Sequence, residues 1–399
     1  MTVGCISAAE AARLWGVSLR QVQRLLHEGR IPGATKYGAS WMIPADCDRP
    51  ADLRRREAVE PRPFYTQPRE CPELILTSFY NRPGSADSLA RTLDGDAAAR
   101  RLFEASLCYF RGRTGEARRL SEPLLDVEGR PDITLGAGFV LCLCAMYAGD
   151  ETYWWRARGA MSEVHCATAE QETQRELQLV AVDSGIYDKR SFPEWLKKGC
   201  FDQLPGDSFP MAWHIYFKYL MIEKGDSSIS YMCGPLISQC KLEGALLSEI
   251  YCRLITGVGF HDHGDVPLAT EQLDAAIALA LPDRLYSPLA ELRRNFGVLM
   301  DERLAAVDMA ALHEVRRLNK RLIAGWSVLY TRICGRAFSA ELTQREYHAA
   351  KLASKGLNNA EIAQRMGLSV NTVKRYIAEA LGKTGAGSRS ELSKYIGID

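Results

Sequence analysis

The sequence predicts a mainly α-helical protein with a helix-turn-helix near each end and a long helical middle. Capped helix pairs with glycine turns stand near both ends, and apolar stretches separated by glycine junctions fill the centre. With 399 residues, of which 47% are hydrophobic, the chain can form two or three separate cores. These signals divide it into residues 1–48, 49–72, 73–335 and 336–399.

The C-terminal region carries the start signals of three successive helices. Thr343 stands three positions before Glu346, which is the spacing of a capping box. Asn358 and Glu361 repeat that spacing, and Ser369 can cap a third helix. Short capped helices joined by a tight, glycine-containing turn are typical of a helix-turn-helix.

The third of these helices, residues 370–382, has one apolar face and one polar face. With Val373 directed inward, a step of about 100° per residue places Asn371, Lys374 and Arg375 outward. Amide and cationic groups suit base edges and phosphates in a DNA major groove. A solvated surface is the alternative for a single charged helix taken alone.

The run from Leu342 to Leu392 resembles the LuxR-type (GerE-like) DNA-binding domain, without a gap in its spacing. Thr372, Val373 and Lys374 form the TVK signature of that family. The resemblance implies a helix that reads DNA. The residues expected to contact DNA in this region are Asn371, Thr372, Lys374, Arg375 and Lys383.

Three positions depart from the family pattern. Tyr376 stands where His is usual, Glu379 where Asn is usual and Thr384 where Leu is usual. The resemblance also implies that two copies associate through a last helix at residues 390–396. Because Thr384 is polar in a usually apolar position, we expect a weak homodimer that forms mainly on DNA.

The N-terminal region contains a second helix-turn-helix pattern. Ser7 and Glu10 have the spacing of a capping box. Ala11, Leu14 and Trp15 are expected to form the buried stripe of the first helix. A following hairpin, in which Trp41 and Ile43 alternate with Met42, has the period of a half-buried strand.

Ile6 to Asp46 resembles the excisionase/MerR-like winged helix-turn-helix, in which the hairpin is the wing. The resemblance implies a second DNA reader. Its candidate contacts are Arg20, Gln21 and Arg24 on the second helix and Lys36 on the wing. The superfamily also uses this fold for protein contacts, so a structural or dimerisation role is the alternative.

The middle of the chain, residues 73–335, follows a proline-rich linker at residues 49–72 and predicts helix after helix. One junction type recurs, in which Gly ends a helix and Thr or Asp caps the next. It appears at Gly112-Arg113-Thr114, Gly149-Asp150, Gly225-Asp226 and Gly264-Asp265. Helix pairs near a 34-residue period resemble a tetratricopeptide (TPR)-like α-solenoid.

Such an array commonly binds a protein, a peptide or a small-molecule effector. Aromatic side chains that can line a pocket include Trp154, Trp155, Trp195, Trp213, Trp326, Tyr216 and Tyr219. Most such side chains fill the seams between helices instead, so the sequence assigns no ligand-binding residue.

Charge is distributed unevenly along the chain. Residues 1–58 carry a net charge of +3 and residues 336–399 carry +4, whereas the remainder carries −6. Basic ends around an acidic centre suit two regions that face nucleic acid. The excess of positive charge in each end is modest, so it supports the assignment from the motifs but would not be sufficient alone.

Other features predict little special chemistry. The 12 cysteines include no C-x-x-C pair, and His261-Asp262-His263 is expected to be a turn between helices rather than a metal site. The apolar run at residues 133–149 is short for a membrane span. We expect a cytoplasmic protein without membrane attachment, cofactor or enzymatic activity.

These observations predict a sequence-specific transcription regulator that binds double-stranded DNA through two readers joined by a helical sensor or partner-binding array. One alternative is a TPR-like scaffold whose ends serve assembly. Another is a recombination accessory factor that bends DNA through its front domain, although this leaves the C-terminal domain without a role.

Overall fold

A computed structural model describes most of the chain. The described residues are 5–27, 31–37, 40–45, 47, 82–93, 95–186, 192–201, 204, 209–224, 233–335, 342–366 and 368–395. The proline-rich linker and the Gly225-Asp226 junction lie outside them. The chain divides into two compact units, Met1–Thr66 and Gln67–Asp399.

The N-terminal unit combines two short helices with a small antiparallel sheet. Its elements are β1 (Cys5–Ser7), α1 (Ala8–Leu14), α2 (Leu19–His27), β2 (Thr35–Tyr37) and β3 (Ser40–Pro44). The strand order is β1-β3-β2, with Lys36 opposite Trp41 in the hairpin. The predicted wing is therefore present, and β1 adds a third strand that the sequence did not indicate.

The core of this unit confirms most of the predicted apolar positions. Ile43 is fully buried and Met42 is exposed, as the period-2 pattern predicted. The prediction for Leu14 is wrong, because its side chain is 70% exposed while Ala12 is buried. On a helical wheel Leu14 and Ala12 lie about 80° to opposite sides of the middle of the face shared by Ala11 and Trp15, so the wheel alone does not decide which of them is buried.

The helical middle begins with α3 and ends with the long helix α16. Its α-helices are α3 (Ala86–Thr92), α4 (Ala97–Phe110), α5 (Thr114–Ser121), α6 (Pro131–Ala148), α7 (Glu151–Glu163), α8 (Ala169–Gly185), α9 (Glu194–Lys198), α10 (Phe209–Lys224), α11 (Cys233–Glu243), α12 (Leu246–His263), α13 (Val266–Ala280), α14 (Tyr286–Phe296), α15 (Val298–Val307) and α16 (Met309–Cys334). Short 3₁₀ turns occupy Glu122–Leu124 and Leu281–Asp283.

Glycine junctions separate several of these helices as predicted. Gly149 ends α6 in the left-handed conformation, and Asp150 caps α7 by accepting a hydrogen bond from Tyr153 N–H. Gly264 and Asp265 do the same between α12 and α13. Thr114 was expected to cap α5 but is its first residue; the side chain is buried and accepts from Arg321 instead.

The middle also contains contacts between helices that are far apart in the sequence. Helix α16 packs against α6 so closely that a Cβ atom at Gly325 would collide with the carbonyl oxygens of Met146 and Tyr147. The buried Asp283 carboxylate accepts from the backbone N–H of Ala86 at the start of α3. A solenoid repeat contacts only its neighbours, so these contacts differ from an open array. The TPR-like assignment stays a prediction.

Helix α6 is the one helix in the described part of the chain that is long and apolar enough to cross a membrane. Over 18 residues its mean hydropathy is 1.5, and 78% of this window is buried inside the protein. The helix therefore has the surroundings of a core helix, enclosed by α4, α5, α7, α8 and α16.

The C-terminal region forms three helices and a short turn. They are α17 (Gln344–Ser354), α18 (Asn359–Met366), α19 (Val370–Thr384) and a 3₁₀ turn at Glu391–Lys394. The predicted caps are confirmed: Thr343 and Glu346 form a capping box, and Ser369 accepts from Thr372 N–H. An α-helix was expected at residues 390–396, but the described part of this segment is a 3₁₀ turn. Its Leu392 side chain is fully buried.

Candidate nucleic-acid interface

Helix α19 separates its side chains into a buried face and an exposed face. Val373, Tyr376, Ile377 and Ala380 are buried against α17 and α18. The exposed residues include Asn371, Lys374, Arg375 and Ala378. The structure thus places the predicted amide and cationic groups together on the solvent side of the second helix of a helix-turn-helix.

Thr372 and Lys383, which the sequence also nominated, have partners within the protein. The Thr372 hydroxyl lies 2.8 Å from that of the capping residue Ser369. Lys383 Nζ donates to both carboxylate oxygens of Glu346, at 2.6 and 2.7 Å. These side chains support the helix from inside the domain, and their contact with DNA stays a prediction.

Glu346 is the centre of this support. Its side chain is 3% exposed, accepts from Thr343 N–H at 2.7 Å and pairs with Lys383. Burial alone would raise the pKa of Glu346, but hydrogen bonds from Lys383 and Thr343 bring that pKa below its usual range. The carboxylate therefore connects the start of α17 with the end of α19.

Arg389 also has its partners within the domain. It donates to the Asn359 side chain at 2.5 Å and to the Leu357 carbonyl at 2.7 Å. These bonds hold the C-terminal turn against the start of α18. Arg375 has a weaker contact with Glu379, at 4.0 Å, and its side chain is 64% exposed.

An ion pair joins the C-terminal region to the helical middle. Arg345 Nε on α17 donates to Asp262 Oδ2 on α12 at 2.8 Å, and the two side chains are only 7% and 10% exposed. Burial raises the pKa of Asp262 even though Arg345 opposes the change. Burial and the nearby Asp262 carboxylate raise the pKa of Tyr376 on α19.

This contact corrects the expectation for His261-Asp262-His263. The segment is the last turn of α12 rather than a turn between helices. His263 Nδ1 lies 2.9 Å from the Gly259 carbonyl oxygen, as a helical side chain can. The histidines suggested a metal site, but it is Asp262 that forms the ion pair with Arg345.

The N-terminal unit presents a smaller basic surface. Arg20 and Lys36 are exposed, whereas Gln21 and Arg24 are partly buried. The Ser18 hydroxyl caps the turn before α2 by accepting from Gln21 N–H at 3.3 Å. The His27 ring lies edge-on to Trp41 with ring centroids 6.3 Å apart, which joins the end of α2 to the wing.

Comparisons with known proteins agree with this geometry. The family model "Bacterial regulatory proteins, luxR family" matches residues 340–396, and a helix-turn-helix domain model matches residues 5–47. The chain is 27% identical over 165 residues to the tetrathionate response regulatory protein TtrR of Salmonella typhimurium. This aligned segment covers 37% of this chain and 68% of that protein.

The chain is also 40% identical over 55 residues to the response regulator Rre1 of a Synechocystis species, covering 14% of this chain and 24% of that protein. No solved structure gives a significant match. The chain thus carries a LuxR-family helix-turn-helix domain at its C-terminus and a second helix-turn-helix domain at its N-terminus. These two domains and the regulator relatives support a DNA-binding transcription regulator.

Proposed function

We propose that the protein recognises a specific DNA sequence by inserting α19 into the major groove. Asn371, Lys374 and Arg375 are exposed together on this helix, and this grouping carries the proposal. Phosphate contacts then set the position of the domain, and the amide and guanidinium groups contact base edges. The LuxR-family match over residues 340–396 supports this role.

The finer features of the regulator belong to the same proposal. The N-terminal unit acts as a second reader, and two copies associate weakly on DNA with dyad symmetry. The helical middle senses an effector or binds a partner, and the protein works in the cytoplasm without enzymatic activity. The scaffold alternative differs because a scaffold does not have to bind DNA.

The test replaces Lys374 and Arg375 with alanine in the full-length chain. A matched control replaces Lys320 and Arg332, which are exposed on α16, and thereby removes the same charges elsewhere. The sites come from genome-wide binding, and affinity is measured by gel shift at several salt concentrations. We expect the α19 variant to lose sequence-specific binding, with a log-log salt slope lower by about one unit per lost phosphate contact.

The control should bind like the unchanged protein. If the α19 variant and the control bind DNA equally well, α19 is not the recognition helix. Absence of DNA binding by the unchanged protein would favour the scaffold.

A further inference from the structure

A cavity of about 270 Å³ lies inside the helical middle. Its wall contains residues of α4, α6, α8, α10, α12, α14 and α16, together with Leu342 and Thr343 at the start of the C-terminal region. Ligand pockets usually measure about 300–1,000 Å³. At about 270 Å³ this cavity lies just below that range, which fits a compact small molecule and leaves no room for a peptide.

Most of the wall is apolar. The aromatic and aliphatic side chains that line it include Phe139, Met146, Met211, Ile215, Leu322 and Trp326. The Trp326 indole N–H donates to the Gly185 carbonyl at 2.7 Å, which fixes the ring orientation. A wall of this kind favours a compact molecule whose body is apolar.

A hydrogen-bonding cluster occupies another part of the wall. Glu291 accepts from the Tyr109 hydroxyl at 2.7 Å and from the Tyr251 hydroxyl at 2.9 Å. Burial, followed by the Glu291 charge, raises the pKa of both tyrosines, so they remain protonated donors. The His214 ring lies against Tyr251, with centroids 5.0 Å apart.

The charges in the wall favour an uncharged ligand. The described lining contains one carboxylate, Glu291, and one guanidinium, Arg294, which are one turn apart on α14. A ligand with a net charge would lose hydration without a net opposite charge in the wall. Both tyrosine hydrogens are directed at Glu291, so the tyrosine and carboxylate oxygens can still accept a hydrogen bond from a ligand hydroxyl.

The cavity also touches the start of the DNA-binding region. Thr343 lines the cavity and caps α17 together with Glu346, whose carboxylate holds Lys383 at the end of α19. A molecule in the cavity therefore contacts residues that are connected to the recognition helix through two steps of hydrogen bonding. This connection supplies a physical route from occupancy to DNA affinity.

We propose that this cavity is the sensor site of the regulator and binds a compact, uncharged, mainly apolar molecule with a hydroxyl group. Binding changes DNA affinity through Leu342 and Thr343. The ligand site stands on the cavity alone, whereas its effect on DNA rests on the proposed function.

The first experiment measures binding without DNA. Calorimetry with the full-length chain compares three probes of similar shape: 2-phenylethanol, ethylbenzene and phenylacetate. We expect 2-phenylethanol to bind more tightly than the other two, since it alone combines neutrality with a hydroxyl group. Equal or tighter binding of phenylacetate, or no binding of 2-phenylethanol, would overturn the ligand assignment.

Two variants locate the probe. Ala181→Phe fills part of the cavity and should abolish binding, whereas Tyr251→Phe removes one hydroxyl and should weaken it by roughly three- to tenfold. Tyr153→Phe is the matched control, because Tyr153 donates to Glu122 at 3.0 Å outside the cavity lining. If Ala181→Phe does not fold, Tyr251→Phe decides: weakening no greater than in the control overturns the site.

The second experiment measures DNA affinity with and without saturating 2-phenylethanol. We expect a change of at least about threefold in the unchanged protein. Tyr251→Phe, assayed at the same probe concentration, should show a smaller change. Binding of the probe with no change in DNA affinity would overturn the sensor role and leave the DNA-reading proposal intact. Binding of the probe by a protein without DNA affinity would instead show that the proposed function had failed.

Discussion

The Ser7–Glu10 and Thr343–Glu346 capping boxes have the same sequence spacing and very different surroundings. Ser7 and Glu10 begin α1 at the surface, and their hydrogen bonds serve only that helix. Thr343 and Glu346 begin α17, but Glu346 is buried and also holds Lys383 on α19. A local motif can therefore start a helix in one region and join distant helices in another.

The ion pair next to the second capping box should give the largest effect. Arg345→Met leaves the buried Asp262 carboxylate without its guanidinium partner, which typically costs about 3–5 kcal/mol of stability. Denaturant unfolding of the second unit measures this loss. Arg303→Met is the control, because its pair with Asp274 is 39% and 38% exposed and contributes about 0–1 kcal/mol.

Adding Asp262→Leu to Arg345→Met should recover much of the lost stability, since no buried charge then remains. If Arg345→Met is as stable as the Arg303→Met control, the Arg345–Asp262 ion pair does not stabilise the protein as we expect.

The next effect separates the two capping boxes directly. Glu346→Ala removes a buried carboxylate with two partners and should destabilise the protein by about 1–3 kcal/mol. Glu10→Ala removes an exposed one and should have a smaller effect. Unfolding of both variants is followed by circular dichroism, and equal losses would contradict the distinction.

The pH dependence of the Glu346 contribution follows from its lowered pKa. A carboxylate with a folded-state pKa below its unfolded value stabilises the protein fully above the unfolded pKa. That contribution should disappear as the pH falls through the folded pKa, which lies below the ordinary pKa of a glutamate. The difference in stability between the unchanged protein and Glu346→Gln should therefore shrink only in that acidic range.

The sequence predicted local features far better than long-range contacts. Thr343, Asp150 and Asp265 cap helices as expected, because a cap depends on residues three positions away. Asp262 and Arg345 lie 83 positions apart, and nothing in the spacing of either segment indicates their pairing. Burial at a helix end was also hard to predict, as the exposed Leu14 shows.

The candidate interface divides in the same way. A helical wheel was sufficient to place Lys374 and Arg375 on the exposed face of α19. It could not show that Lys383 bonds to Glu346, because that contact depends on how α17 packs against α19. The cavity could not be predicted from the sequence either, because seven helices of the middle contribute to its wall.

The smallest effect is expected for the N-terminal unit. Replacing Arg20 and Lys36 with alanine removes two exposed cations from the proposed second reader. Because a second weak binder mainly raises effective concentration, we expect one part of the DNase footprint to disappear while the part bound by α19 persists. Arg13→Ala, on the exposed side of α1, is the control. An unchanged footprint would favour protein docking by this unit.

Photo-crosslinking from α19 tests the recognition role most directly. A benzoylphenylalanine side chain introduced at Ala378, one turn beyond Lys374 on the exposed face, should crosslink to bases within the protected DNA site. The same group at Ala324, exposed on α16, is the control and should give no crosslink. Crosslinking from position 324 but not from position 378 would contradict major-groove insertion of α19.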